Sequence, residues 1–184
     1  MAYNGTRRKV FVSHYGVDRT AVRNFIDKWS NVFIAKELGV YDDEDFIDSD
    51  DGDYVMSQIR KKYLEDSTVT LVLMGSCTHS RRYIDWEIKS SLRQGSYTPN
   101  GLLGIVLPGI SNAPSIPERF SKNWNNESEC YAEYHWAPST EEQLGRWIED
   151  AYNARTARPH LITNTQNMWS YNKTCNHCGV NHGV

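Results

Sequence analysis

The chain has 184 residues, about the size of one domain, and its 39% hydrophobic and 12% aromatic content is enough for a core. Its 20 basic and 23 acidic residues leave a net charge of −3 with the signs mixed and no basic stripe, which speaks against a protein that wraps nucleic acid. No run reaches the ~18–20 apolar residues of a membrane span, the opening MAYNGTRRKV lacks the apolar stretch of a secretory signal, and four unevenly spaced cysteines outline no disulfide framework, so the expected compartment is a reducing cytoplasm.

In chain order, Lys9–Ser13 (KVFVS) is a short run rich in β-branched residues and reads as a buried first strand. His14–Val17 is the loop at its carboxyl end. Asp18 is placed to cap a helix whose stripe is Ala21, Val22, Phe25, Ile26 and Trp29. After a second hydrophobic patch, Val32–Ala35, the triplet Gly39–Tyr41 is a brief strand candidate. The acidic stretch Asp42–Asp53 follows, with eight acids in twelve residues and one aromatic, Phe46. Its spacing does not meet the ligand pattern of a calcium loop, so it reads as a solvated loop beside the site. Tyr54–Glu65 is a helix with Val55, Ile59 and Tyr63 four apart.

Thr68–Leu92 (TVTLVLMGSCTHSRRYIDWEIKSSL) organises the rest. An apolar run to Met74 is broken by Gly75 and Ser76. A polar loop then leads into a helix with Ile84, Ile88 and Leu92 four apart. Strand, small-residue loop and helix mark the carboxyl edge of a parallel sheet, where open α/β sheets bind ligands. Glu87 lies in the first turns of that helix, with Tyr83 one turn earlier on the same face. By residue type alone Glu87 is an ordinary exposed helix acid. Its place at the ligand edge, with Ser13–Tyr15 facing the same crevice, makes it a candidate to bind a ribose diol and stabilise a cationic anomeric carbon.

Gly101–Pro108 is a further strand, 109–130 a long surface connection rich in Pro, Asn and Ser, and Tyr131–Trp136 a last short strand. Ser139 with Glu142 three residues on forms a capping box for a helix burying Leu144, Trp147, Ile148 and Ala151. The alternation predicts an α/β fold with a mainly parallel sheet. Residues 157–184 are a polar C-terminal extension. Within it Cys175-x-x-Cys178-Gly179, near His177 and His182, resembles half of a zinc knuckle. A structural zinc needs four ligands. The second half is missing unless Cys130, Cys77 or His135 folds in, so the tail is expected to be metal-free and no metal ligand is assigned.

Several motifs are absent. There is no GxGxxG after the first strand and no P-loop, and no GxSxG or HExxH. Ser76 and Ser80 near His79 lack an orienting acid. Gly75-Ser76 stands where a phosphorelay receiver needs its acceptor Asp.

Two boxes carry a resemblance. KVFVSHYGVD (Lys9–Asp18) resembles the opening box of a TIR (Toll/interleukin-1 receptor) domain, and TLVLMGSCTHSRRYIDWEI resembles the family's strand–serine–loop–helix box, which usually ends W-C-x-x-E. Tyr83 falls on the aromatic position, Ile84 on the cysteine and Glu87 on the catalytic glutamate. Tyr for Trp and Ile for Cys place the chain in a divergent bacterial branch, near the B proteins of the Thoeris anti-phage system. The resemblance implies a flavodoxin-like TIR fold with a five-stranded sheet over 1–156. It also implies cleavage of NAD, as substrate and with no cofactor, at the nicotinamide–ribose bond. ADP-ribose would be cyclised into a messenger for a partner effector, in an enzyme that needs self-association and can be inactive until triggered. Glu87 would be the catalytic acid and Tyr83 a stacking wall. Ser13, His14 and Tyr15 would form the facing loop, with Asp45 and Phe46 closing over the substrate. Plain NAD hydrolysis and a non-catalytic TIR adaptor are the alternatives.

Overall fold

The structure is a computed structural model that describes residues 3–37, 52–126 and 129–182. These form a five-stranded sheet in the order β2-β1-β3-β4-β5, with every neighbouring pair parallel. The strands are β1 (Lys9–His14), β2 (Ile34–Glu37), β3 (Val69–Met74), β4 (Gly101–Val106) and β5 (Glu133–His135). The helices are α1 (Arg19–Lys28), α2 (Gly52–Ile59), α3 (Arg82–Ser91), α4 (Glu118–Ser121) and α5 (Glu141–Ala157). This is the doubly wound, flavodoxin-like arrangement expected from the alternation of strands and helices. Among the described residues no helix is long and apolar enough to cross a membrane.

Period-two alternation along the central strands builds two cores. Val10 and Val12 of β1, Leu71 and Leu73 of β3, and Leu103 and Ile105 of β4 face one side, where Val22, Phe25 and Trp29 meet Leu144, Trp147, Ile148 and Ala151 of α5. On the opposite side Phe11 packs with Val55 and Ile59 of α2 and Trp86 of α3. Further along that side Val72, Met74 and Leu102 meet Ile84, Ile88 and Leu92. Ser13 shares the face of Phe11 and is fully buried. A hydroxyl there requires a partner, because a buried polar group without one costs about 1–3 kcal/mol.

Three local expectations are corrected. The second strand is Ile34–Glu37, beginning inside the patch read as merely hydrophobic, while the candidate Gly39–Tyr41 lies outside the described residues. The final helix is capped one residue later than expected. Thr140 Oγ1 accepts from Gln143 N at 3.1 Å, and Gln143 Oε1 accepts from Ser139 N at 2.8 Å, so Gln143 does what was assigned to Glu142. The connection 109–130 is no mere surface loop, since it contains α4, whose Arg119 and Phe120 are buried.

Gly101 opens β4 because the backbone of α5 passes directly over it: a Cβ there would lie 2.0 Å from the carbonyl oxygen of Ala151. Neither backbone can yield, so Gly101→Ala should cost about 1–3 kcal/mol or more, read as a lower urea midpoint with an unchanged slope.

Candidate functional site

In the strand order 2-1-3-4-5 the chain changes direction between β1 and β3, and ligands of such sheets bind outside the carboxyl ends of those two strands. Ser13 lies next to the end of β1, in register with Val72 of β3. Glu87, on the second turn of α3, reaches the same place from the helix layer. Ser13 Oγ donates to Glu87 Oε2 at 2.5 Å. The two residues assigned to one crevice from 74 positions apart are therefore in direct contact.

The environment of Glu87 differs from that of a surface acid. The residue is 4% exposed. Burial pushes its carboxyl up to about 8, against a smaller downward pull from the Ser13 hydroxyl. At neutral pH the group is mainly a neutral acid sealed between sheet and helix.

Around it, the loops after β1 and β3 touch. Gly75 has no side chain because Asp18 fills the space: a Cβ on Gly75 would sit 2.2 Å from Asp18 Oδ2. Asp18 holds the N-cap position of α1 but makes no capping bond with its side chain, which corrects the reading of it as a helix cap. Its Oδ2 is buried without a partner among the described residues, and burial holds its carboxyl above the usual range. Sequence reasoning missed this second acid at the crevice, since an Asp just before a helix invites a simpler explanation.

The other expected site residues are placed as follows. His14 ends β1 opposite Leu73. Tyr15 is half-buried, with the Arg81 guanidinium 4.4 Å above its ring and the His182 ring 5.7 Å away. Arg81, 8% exposed, is thus a buried strut. Tyr83 is half-buried, meets Trp86 edge-on at 5.6 Å and packs against the Phe11 cluster, and its hydroxyl accepts from Arg82 Nη2 at 2.8 Å. Asp45 and Phe46 lie outside the described residues.

The helix bearing Glu87 is strapped down by the chain beyond α5. Arg119 of α4, 1% exposed, forms a two-pronged ion pair with Asp85 (Nε–Oδ1 2.8 Å, Nη2–Oδ2 3.2 Å). It also donates to the carbonyls of Gln166 (3.2 Å) and Asn167 (2.9 Å). Asp85 Oδ2 accepts from Trp169 N at 3.1 Å, and Trp86 Nε1 donates to Trp169 O at 2.7 Å. Asn172 Oδ1 accepts from Arg82 N at 2.8 Å, capping the first turn of α3 from 90 residues away. Neither Asp85 nor Arg119 was singled out from sequence. A lone Arg in a Pro-rich connection carries no periodic signal.

Two further features adjoin the strand ends. A cleft of about 320 Å³ opens between the loops after β3 and β4 and the tail, lined by Ser76, Ile110, Asn112, Pro114, Asn176 and His177. Glu87 is not among its lining residues, so cleft and acid are separate features. Beside it, Cys77, Cys175, Cys178 and His182 bring one ligand atom each within 4.8 Å of one another. The tail was expected to be metal-free for want of a second half-site, and Cys77, from the loop after β3, stands where that half-site would be.

Residues 11–112 match a family model described as Thoeris protein ThsB, TIR-like domain. No curated protein matches the chain.

Proposed function

Starting from the fact that the chain belongs to the ThsB TIR-like domain family of Thoeris proteins, we propose that it is an anti-phage defence enzyme that cleaves NAD and cyclises the ADP-ribose portion into a signal nucleotide. The observation that carries this reading is the Ser13–Glu87 contact at the switch point of the sheet. In the reaction the C–N bond between ribose and nicotinamide breaks, and nicotinamide leaves with the bonding electrons. The oxocarbenium-like carbon is then captured by a nucleophilic atom of the same ADP-ribose, which gives up its proton. Capture by water instead yields linear ADP-ribose. Glu87, as a carboxylate, would accept from the ribose hydroxyls and offset the positive charge at the anomeric carbon. Ser13 would fix the carboxyl's orientation.

As it stands, Glu87 is neutral at pH 7 and shut away from solvent. The arrangement reads as an off state. Self-association or an infection signal must expose the acid, upon which its proton is lost and the ribose can reach it. The messenger then activates a separate effector.

The test is mass spectrometry of small molecules from cells expressing the protein, with and without phage, beside a Glu87→Gln strain. The expected result is an infection-dependent cyclic ADP-ribose species that falls about 10²–10³-fold in the variant. Linear ADP-ribose and nicotinamide alone would mean a depleting hydrolase. Messenger made at parental level by Glu87→Gln would overturn the assignment. The depth at which Glu87 is buried favours one other reading, a non-catalytic adaptor acting through TIR–TIR assembly. In that case protection survives Glu87→Gln with no change in NAD metabolites.

A further inference from the structure

We propose that Cys77, Cys175, Cys178 and His182 bind one structural zinc ion that staples the C-terminal tail to the loop after β3.

The donor set is three sulfurs and one imidazole nitrogen, all within 4.8 Å of one another. Around a tetrahedral zinc with Zn–S bonds of about 2.3 Å, neighbouring sulfurs stand about 3.8 Å apart. Cys77 Sγ and Cys178 Sγ are 3.9 Å apart, and Cys178 Sγ lies 3.1 Å from His182 Nε2. The sulfur separation is far beyond the roughly 2 Å of a disulfide.

The backbone is shaped for such a site. Gly179 N donates to Cys175 O at 2.8 Å, and Cys175 N donates to Val180 O at 2.9 Å. Thr174 and Asn181 pair as an antiparallel bridge. Gly179 sits at φ +71°, where a side chain would strain the turn. This hairpin turns Cys175, Cys178 and His182 toward one point, and Cys77 arrives there from about a hundred residues upstream. Cys175 is fully buried although it belongs to a polar tail, and the nearby Asn176 N is held by His79 Nε2 at 3.0 Å.

Chemistry selects the metal. Thiolates with one imidazole in a tetrahedral set suit zinc, and disfavour the oxygen-seeking magnesium and calcium. Four protein ligands leave no open position, so the ion is structural. Its placement matters to the crevice. His182 packs against Tyr15, and its carbonyl accepts from Arg81 Nη1 at 2.7 Å, so the ion would fix the residue that borders Tyr15.

The experiment is elemental analysis of the purified full chain, with Cys178→Ser, His182→Ala and Cys130→Ser as companions. Expected are one zinc per chain in the parent and in Cys130→Ser, and loss of zinc in the other two. A strong chelator should lower the parent's melting temperature and open residues 170–182 to protease. Cobalt exchanged into the parent should give the visible bands of a tetrahedral thiolate site, a readout that survives if a cysteine variant fails to fold. Zinc at parental level in Cys178→Ser overturns the proposal. So does a parent that takes up neither zinc nor cobalt after reduction. Metal content is read without reference to NAD turnover, so this result and that of the proposed function are independent.

Discussion

Glu87→Gln should melt on the order of 10 °C above the parent at pH 8.5, and at the same temperature as the parent at pH 4. The carboxyl's ordinary value of 4.5 is raised to about 8 in the folded protein. Below pH 4.5 it is protonated in folded and unfolded chains alike and contributes no difference. Between 4.5 and 8 the unfolded chain gives up the proton while the folded chain keeps it, so stability falls by about 1.4 kcal/mol per pH unit. Above 8 the whole penalty, on the order of 4–5 kcal/mol, is in place. Glutamine retains the shape and still accepts from Ser13, but has nothing to ionise. At this chain length each kcal/mol corresponds to about 2–4 °C. Other titrating groups are shared by both proteins and cancel in the difference. Melting curves of parent and variant that stay parallel from pH 4 to 8.5 would refute the buried-acid account. Together with loss of messenger, the expected result describes a group kept at a cost in stability because the site uses it.

The second large effect is expected at Arg119. Arg119→Met leaves Asp85 buried without its counter-charge and releases the carbonyls of Gln166 and Asn167. Breaking a buried pair from one side costs about 3–5 kcal/mol, which urea unfolding will read directly. Replacing both partners, in Asp85→Leu with Arg119→Met, should recover part of that loss, because an apolar pair needs no counter-charge. Recovery stays incomplete, since Trp169 N and the two carbonyls still lack partners. Faster amide exchange at 164–172 in both variants would locate the damage in the strap. A single variant as stable as the parent would show that the pair contributes nothing.

Particular residues explain what was legible in the sequence. The strands are runs such as KVFVS and TLVLM because both faces of a parallel strand are buried, and such runs are visible without any partner. Glu87 stood out through its position after a strand, a loop of small residues and a helix start. Its burial was not legible. That depends on Ser13, a hydroxyl among apolar neighbours, being turned toward α3 by the strand's alternation. Arg119 was hidden, and Cys77 could be named only as one of three candidates for a missing half-site, for a different reason. Their partners, Asp85 for one and Cys175 to His182 for the other, are 34 to 105 positions away, and no local pattern encodes a contact of that span. The one-residue shift of the cap from Ser139 to Thr140 is a finer matter. Two hydroxyl residues stand side by side, and Thr140, with extended backbone directly before the first helical residue, takes the cap.

The strap over α3 also has a consequence in time. Residues 163–182 are synthesised after everything they hold in place, and at about 5–20 residues per second they trail α5 by one to a few seconds. During that interval the sheet can close while Asp85 still lacks Trp169 and the first turn of α3 still lacks Asn172. The helix carrying Glu87 is therefore secured later than the sheet it packs against. A nascent chain would hold its acid loosely until residues 163–182 have emerged.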